Sequence, residues 1–156
     1  MSDTEPPADC LQYGGNIYAL WAGDDVPKVA DISVLYGVEF HIIKRWEPEA
    51  DGFHWLHGVA LAWHGGRLYA TFGHNRGTEN TAGEQARGRG SADGGRTWSE
   101  VFTIAGGDGD LGISHGALLS HGGNLWAFEG AFYNTRSGVH TRAYVLDEET
   151  GRWQPK

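Results

Sequence analysis

HGGRLYATFG, residues 64–73, is a Gly-Gly turn followed by an apolar strand, and the phrase occurs three times in the chain. It reads YGGNIYALWA at 13–22 and HGGNLWAFEG at 121–130. Each copy runs on to a tryptophan at nearly the same distance. Asn16 to Trp46 is 30 positions, Arg67 to Trp98 is 31 and Asn124 to Trp153 is 29. A shared start and a shared finish, with turns offset by 51 and 57 residues, mark one supersecondary unit used three times.

The second copy is the most regular. Val59–Trp63 reads as a short apolar strand, 64–66 as the turn and Leu68–Phe72 as the next strand. A polar loop from His74 to Glu84 leads to strands over 86–92 and 98–104, which flank the turn Asp93–Arg96. The third copy predicts strands at 116–119, 125–132, 139–146 and around Trp153, entered through a connection at 105–114. The first copy offers strands at 16–22 and 32–43, without a strand before its Gly-Gly turn. Residues 1–12 read as a polar, proline-containing tail.

The fold class that follows is all-β: about three four-stranded antiparallel blades of a β-propeller, spanning about 13–52, 53–106 and 107–156. A β-sandwich also provides short strands at regular spacing, but it leaves the recurrence of turn and tryptophan unexplained. Propellers close with roughly four to eight blades. Three blades therefore imply a partial propeller, or one half of a homodimer that completes six.

Composition narrows the function. Twenty-five glycines, seven tryptophans and six tyrosines suit a turn-rich β protein. A formal charge of −8 argues against a nucleic-acid partner, which needs a basic face. Cys10 is the single cysteine, so no internal disulfide forms. No apolar run has the length of a membrane span, and MSDTEPPADC lacks the features of a secretory signal. His54 and His57 with His74 lack a thiolate pair or an H-E-x-x-H spacing, so neither metal nor cofactor is expected.

Ser91-Ala92-Asp93-Gly94-Gly95-Arg96-Thr97-Trp98 matches the S-x-D-x-G-x-T-W pattern of the Asp-box and resembles the sialidase-like propellers that carry it. There the motif is a structural hairpin. Locally, Asp93 can accept backbone N–H groups across the turn. Thr150–Trp153 keeps a remnant of the pattern, and the first copy only Trp46. FHWLHGVALAWHGGRLYATFGHNRG, with SHGALLSHGG and GAFY downstream, is similar to propeller polysaccharide lyases and rhamnosidases that act on rhamnose–uronate polymers such as ulvan. The resemblance covers about residues 53–156 and implies an oligo- or polysaccharide substrate, a histidine-centred site and a secreted or periplasmic location.

Antiparallel order sorts the polar residues by end of the blade. His64 and His121 fall in the first turns of their blades, beside the Asp-box end, and read as structural or solvent-exposed. The opposite end collects His54, His57, His74, Asn75, Arg76, His115, Tyr133 and Arg136. Arg87 and Arg142 stand at equivalent places, each 11 residues before its tryptophan. His54, His74 and Tyr133 are the catalytic candidates, because the two histidines have no counterparts in the third copy. His57, Asn75, Arg76, Arg87, His115, Arg136 and Arg142 are the substrate-binding candidates, although recurrence of His-Gly at 57 and 115 equally suits blade building. His41 and His140 read as packing residues within strands, and Asp147–Glu149 as a solvated turn. Such a set suits β-elimination: an arginine holds the uronate carboxylate, a neutral histidine removes the C5 proton and a tyrosine serves the opposite side. Exo-glycosidase action of the sialidase or rhamnosidase type, and a non-catalytic glycan-binding module or inactive remnant, remain the alternatives.

Overall fold

The computed structural model describes residues 36–156 continuously and, before them, 10–13, 16–19, 28, 30, 32 and 34. The chain divides into two units, 1–39 and 40–156. In the first, β1 (Cys10–Tyr13) and β2 (Asn16–Ala19) pair antiparallel, with Cys10 opposite Ala19 and Tyr13 opposite Asn16. A strand therefore does precede the first Gly-Gly turn, and Cys10–Gln12 belong to it instead of to a tail. Residues 1–9 of the expected tail and 20–22 of the expected strand lie outside the described residues.

The strand expected over 32–43 does not form among its described residues. Its end is held by a side chain instead of a ladder: Arg89 donates from Nη1 to the Ile43 carbonyl at 2.7 Å. His41, expected to pack inside that strand, is exposed. A single helical turn, α1 (Pro48–Asp51), follows and is closed by Gly52 at φ 72°.

The second unit consists of two four-stranded antiparallel sheets. The first runs β3 (Trp55–His64), β4 (Arg67–Asn75), β5 (Glu84–Ser91) and β6 (Phe102–Gly106). The second runs β7 (Leu111–His121), β8 (Asn124–Tyr133), β9 (Ser137–Asp147) and β10 (Arg152–Pro155). These are the second and third copies of the repeat, each folded in chain order. Several boundaries differ from expectation: β3 starts at Trp55 instead of Val59, and β4 runs to Asn75, into the expected loop, instead of ending at Phe72. β6 starts at Phe102 instead of Trp98, because Ser99 bonds back to Gly90 and keeps that stretch in the turn. β7 starts at Leu111, inside the expected connection, because Leu111 and Ile113 are buried core residues.

Residues 91–98 form a side-chain-knotted turn. The Asp93 carboxylate accepts the Thr97 amide at 2.9 Å, the Thr97 hydroxyl at 2.6 Å and the Ser91 hydroxyl at 2.8 Å. Those bonds to Thr97 and Ser91 hold Asp93 well below the usual carboxylate range.

The sheets pack face to face around Ala86, Ile104, Leu111, Ile113, Ala127, Ala131 and Tyr144, with β7 lying against β3, β4 and β5. The first strand of each sheet, β3 and β7, carries a bulge at the same repeat position, between His57 and Val59 opposite Gly73 and between Ile113 and Gly116 opposite Gly130. Register places His74 beside Gln85 and Asn75 beside Glu84, at the end of the sheet away from Leu68 and Ser91. The histidine-bearing links and the Asp93 turn therefore occupy opposite ends.

Candidate functional site

The polar residues of the link end fall into three groups. The first lies on the outer face of the first sheet. His74 points there from β4 and is 2% exposed, its ring stacked on Phe53 at 4.0 Å and edge-on to Phe72 at 5.9 Å. Arg87, paired with Phe72 in the ladder, directs Nη1 to His74 Nδ1 at 3.3 Å. Arginine has no lone pair to accept with, so Nδ1 is the acceptor and Nε2 carries the proton. Nε2 faces Asp51 Oδ2 at 3.8 Å, and Lys44 pairs with the same oxygen at 2.9 Å. Burial, reinforced by the neighbouring Arg87 charge, pushes the His74 pKa down to about 4. Burial raises the Asp51 carboxyl, but Lys44 and the Phe53 amide outweigh it and hold Asp51 below its ordinary value. The Arg76 and Arg87 guanidinium groups each stand over the Phe53 ring, at 4.4 and 4.6 Å. His74 is thus a neutral imidazole sealed under Phe53, with its lone pair taken by Arg87. His54 is exposed beside this group, and its carbonyl accepts the Trp46 indole N–H at 2.8 Å.

The second group lies where the sheets meet. Glu84, buried on β5, accepts the Ser114 hydroxyl at Oε1 (2.5 Å) and the Asn80 amide at Oε2 (2.9 Å). Ser114 Oγ also stands 3.1 Å from His115 Nδ1. The serine has one hydrogen and gives it to Glu84, so Nδ1–H of His115 is the donor to Oγ. His115 is thereby fixed in the tautomer whose Nε2 keeps its lone pair. The His57 ring meets the His115 ring edge-on at 5.0 Å and lies 3.5 Å from Glu79 through Nδ1. Asn75 does not reach toward this pair. Its amide bonds Thr78, Thr81 and Gly77 and builds the loop that carries Arg76 and Glu79.

Gly58 makes the His115 position available. It sits at φ 58° in the bulge, and a Cβ there would come within 2.3 Å of the imidazole. Gly58→Ala is expected to destabilise the fold by about 2 kcal/mol or more, from the left-handed backbone and the collision together. Urea denaturation checks the loss, and a histidine NMR shift confined to His115 and its neighbours checks the displacement.

The third group belongs to the second sheet. Tyr133 is 42% exposed and stacks on His140 at 5.9 Å. His140 donates from Nδ1 to the Gly138 carbonyl at 2.7 Å and accepts Arg142 Nε at 3.2 Å. Asn134 and Arg136 are exposed on the β8–β9 loop at φ 51° and 71°. Arg142 pairs with Glu129 as Arg87 pairs with Phe72, which places the two arginines at matched register positions. Glu129 is fully buried between the sheets. Thr71 donates to its Oε1 at 2.8 Å, while Oε2 has no hydrogen-bond partner among the described residues, and burial raises its pKa to about 7.

At the turn end, His64 bridges the sheets, 2.8 Å from Ser120 Oγ and 2.5 Å from Glu148 Oε1, whereas His121 is exposed. A cavity of about 510 Å³ opens beside it, lined in part by Arg67, Tyr69, Phe102 and Trp153.

The structure joins His57 with His115, and His74 with Arg76 and Arg87, as two separate groups on either side of one sheet. Lys44, Asp51, Phe53, Glu84 and Ser114 complete those groups; of these only Glu84 was singled out in sequence, as an ion-pair partner for Arg87, whereas it bonds Ser114 and Asn80 and Arg87 turns to His74. Glu84 and Ser114 carry no motif. The bounds of the expected loop at Glu84 and of the expected connection at Ser114 were the signal that concealed them. Among the described residues no three metal-ligating side chains converge, and no helix is long and apolar enough to cross a membrane. No protein-family model and no curated protein sequence matches the chain.

Proposed function

We propose that the chain is part of a sialidase-like β-propeller that takes a uronate-containing glycan at the link end and cleaves it by β-elimination, with His115 as the base. The observation that carries this reading is the Glu84–Ser114–His115 chain, which leaves an oriented lone pair on Nε2 beside the partly exposed His57. In the proposed step His115 takes the C5 proton, the electron pair becomes the C4–C5 double bond and the C4–O bond breaks. The leaving oxygen receives a proton from a second donor, His57 or Tyr133. Exposed Arg76 and Arg136 supply charge for the carboxylate.

The test is incubation with ulvan, following ultraviolet absorbance of the unsaturated product. Activity that falls at least about 100-fold in His115→Ala, with circular dichroism unchanged, supports the assignment. New reducing ends without absorbance would replace lyase by glycosidase action. A second reading, glycan binding without turnover, is favoured by one observation: His74 is sealed beneath Phe53 and presents no base to a substrate. Retained ulvan binding with neither product would select it. A secreted or periplasmic site of action belongs to the same proposal.

A further inference from the structure

The cavity of about 510 Å³ beside His64 has walls from both sheets. Its size lies within the roughly 300–1,000 Å³ of small-molecule sites. The first sheet supplies Arg67, Tyr69 and Phe102, and the second supplies Glu148 and Trp153. It lies at the turn end, away from the His57–His115 pair.

Gly90 keeps this space open. It pairs with Tyr69 in the ladder, and its backbone is not in the left-handed region that would require a glycine. A Cβ there would meet only ordinary contacts, Arg67 Nη2 at 3.5 Å and Tyr69 Cε1 at 3.6 Å. Gly88, two residues earlier, differs: its Cβ would stand 2.5 Å from the Ala70 carbonyl oxygen. A glycine inside a strand weakens it and marks a place of close approach. At Gly88 the protein itself makes that approach. At Gly90 the space is left to a ligand.

The lining carries unused polar groups around an aromatic wall. Among the described residues the Arg67 guanidinium, the Tyr69 hydroxyl and the Trp153 indole N–H have no hydrogen-bond partner. His64, itself tied to Ser120 at 2.8 Å, holds Glu148 through Oε1 at 2.5 Å, which fixes the carboxylate and leaves Oε2 to accept. Phe102 and Trp153 stack at 6.5 Å and 29°, partly buried against the core. Free donors, a fixed acceptor and an aromatic surface together match a pyranose, which has hydroxyls around its rim and C–H groups on its faces. A second carboxylate, Glu100, joins Glu148 in the lining against one arginine, so the balance of charge disfavours an acidic sugar.

We infer that the turn-end cavity binds a neutral pyranose, with Arg67 and Tyr69 donating to its hydroxyls, Glu148 accepting from them and Trp153 against its face. The site is separate from the link end and stands whether or not the lyase reading does.

NMR titration of the full chain with the methyl pyranosides of glucose, galactose and mannose tests it. At least one of them is expected to move the Trp153 indole resonance, assigned by its loss in Trp153→Phe, and to bind more tightly than the corresponding methyl uronoside. Arg67→Ala, at an exposed position, and Gly90→Leu, which fills the cavity and removes no polar group, each weaken that binding at least about 10-fold. Circular dichroism checks that both variants fold, and should Gly90→Leu not fold, Arg67→Ala decides alone. No shift with any of these sugars overturns the proposal. Tighter binding of a uronoside overturns it as well, and so does full affinity in either folded variant.

Discussion

In Glu129→Gln, folding stability rises by about 3 kcal/mol between pH 4 and pH 6.5 and then levels, whereas the wild type changes little over that range. The reason is a cancellation between two buried groups. Glu129 is fully buried and its pKa stands at about 7, against 4.5 unfolded. From pH 4.5 to 7 the folded state therefore binds more protons than the unfolded state. Stability falls as pH rises through that window, by about 3 kcal/mol for a shift of this size. Glutamine keeps an oxygen for Thr71 and carries no charge, so this loss disappears. What remains is the opposite slope from His74. Urea denaturation at several pH values measures both, and an unchanged pH profile in the variant would show that Glu129 ionises normally.

His74→Asn shows the mirror image: stability falls by about 3 kcal/mol from pH 4.5 to pH 7. His74 has a folded pKa of about 4, against 6.5 unfolded, because burial and the Arg87 charge oppose its protonation. Between those values the unfolded state binds more protons, so the wild-type contribution is full above pH 6.5 and is lost as pH drops toward 4. Asparagine can offer an oxygen near the place of Nδ1, which keeps an acceptor for Arg87 while removing the titration. His74 and Glu129 lie on opposite sides of the first sheet and share no partner, so the double variant should add the two effects and give a flat profile. Carboxylates held low by their hydrogen bonds, Asp51 and Asp147 among them, add an acid-side loss as pH falls below their unfolded value of 3.8. A His74→Asn profile that still rises with pH would place the imidazole in contact with water.

Much of the architecture could be read directly. The recurrence of Gly-Gly, apolar strand and tryptophan located both four-stranded sheets, because a two-residue turn and a period-two strand are local properties of the backbone. It also located Asp93 in its turn, where every partner lies within four residues. The irregular stretches were another matter. Residues 40–43 are the apolar end of the strand expected over 32–43, yet Ile43 is held by Arg89 and the neighbouring Lys44 pairs with Glu47 and Asp51, contacts no window of sequence displays.

The candidate site divides the same way. By itself the sequence determined which polar residues share an end of the sheets, since antiparallel order assigns ends by counting strands. It could not determine which side of a strand each one faces in the assembled stack. His74 and Asn75 are neighbours in sequence, yet alternation turns one beneath Phe53 and the other into the β4–β5 loop. Only the stacking of one sheet on the other brought Ser114 to Glu84, His115 to Gly58 and Thr71 to Glu129, across 30 to 58 residues of chain. Burial and partner, which set proton affinity and tautomer, are products of that stacking and not of any residue's own identity.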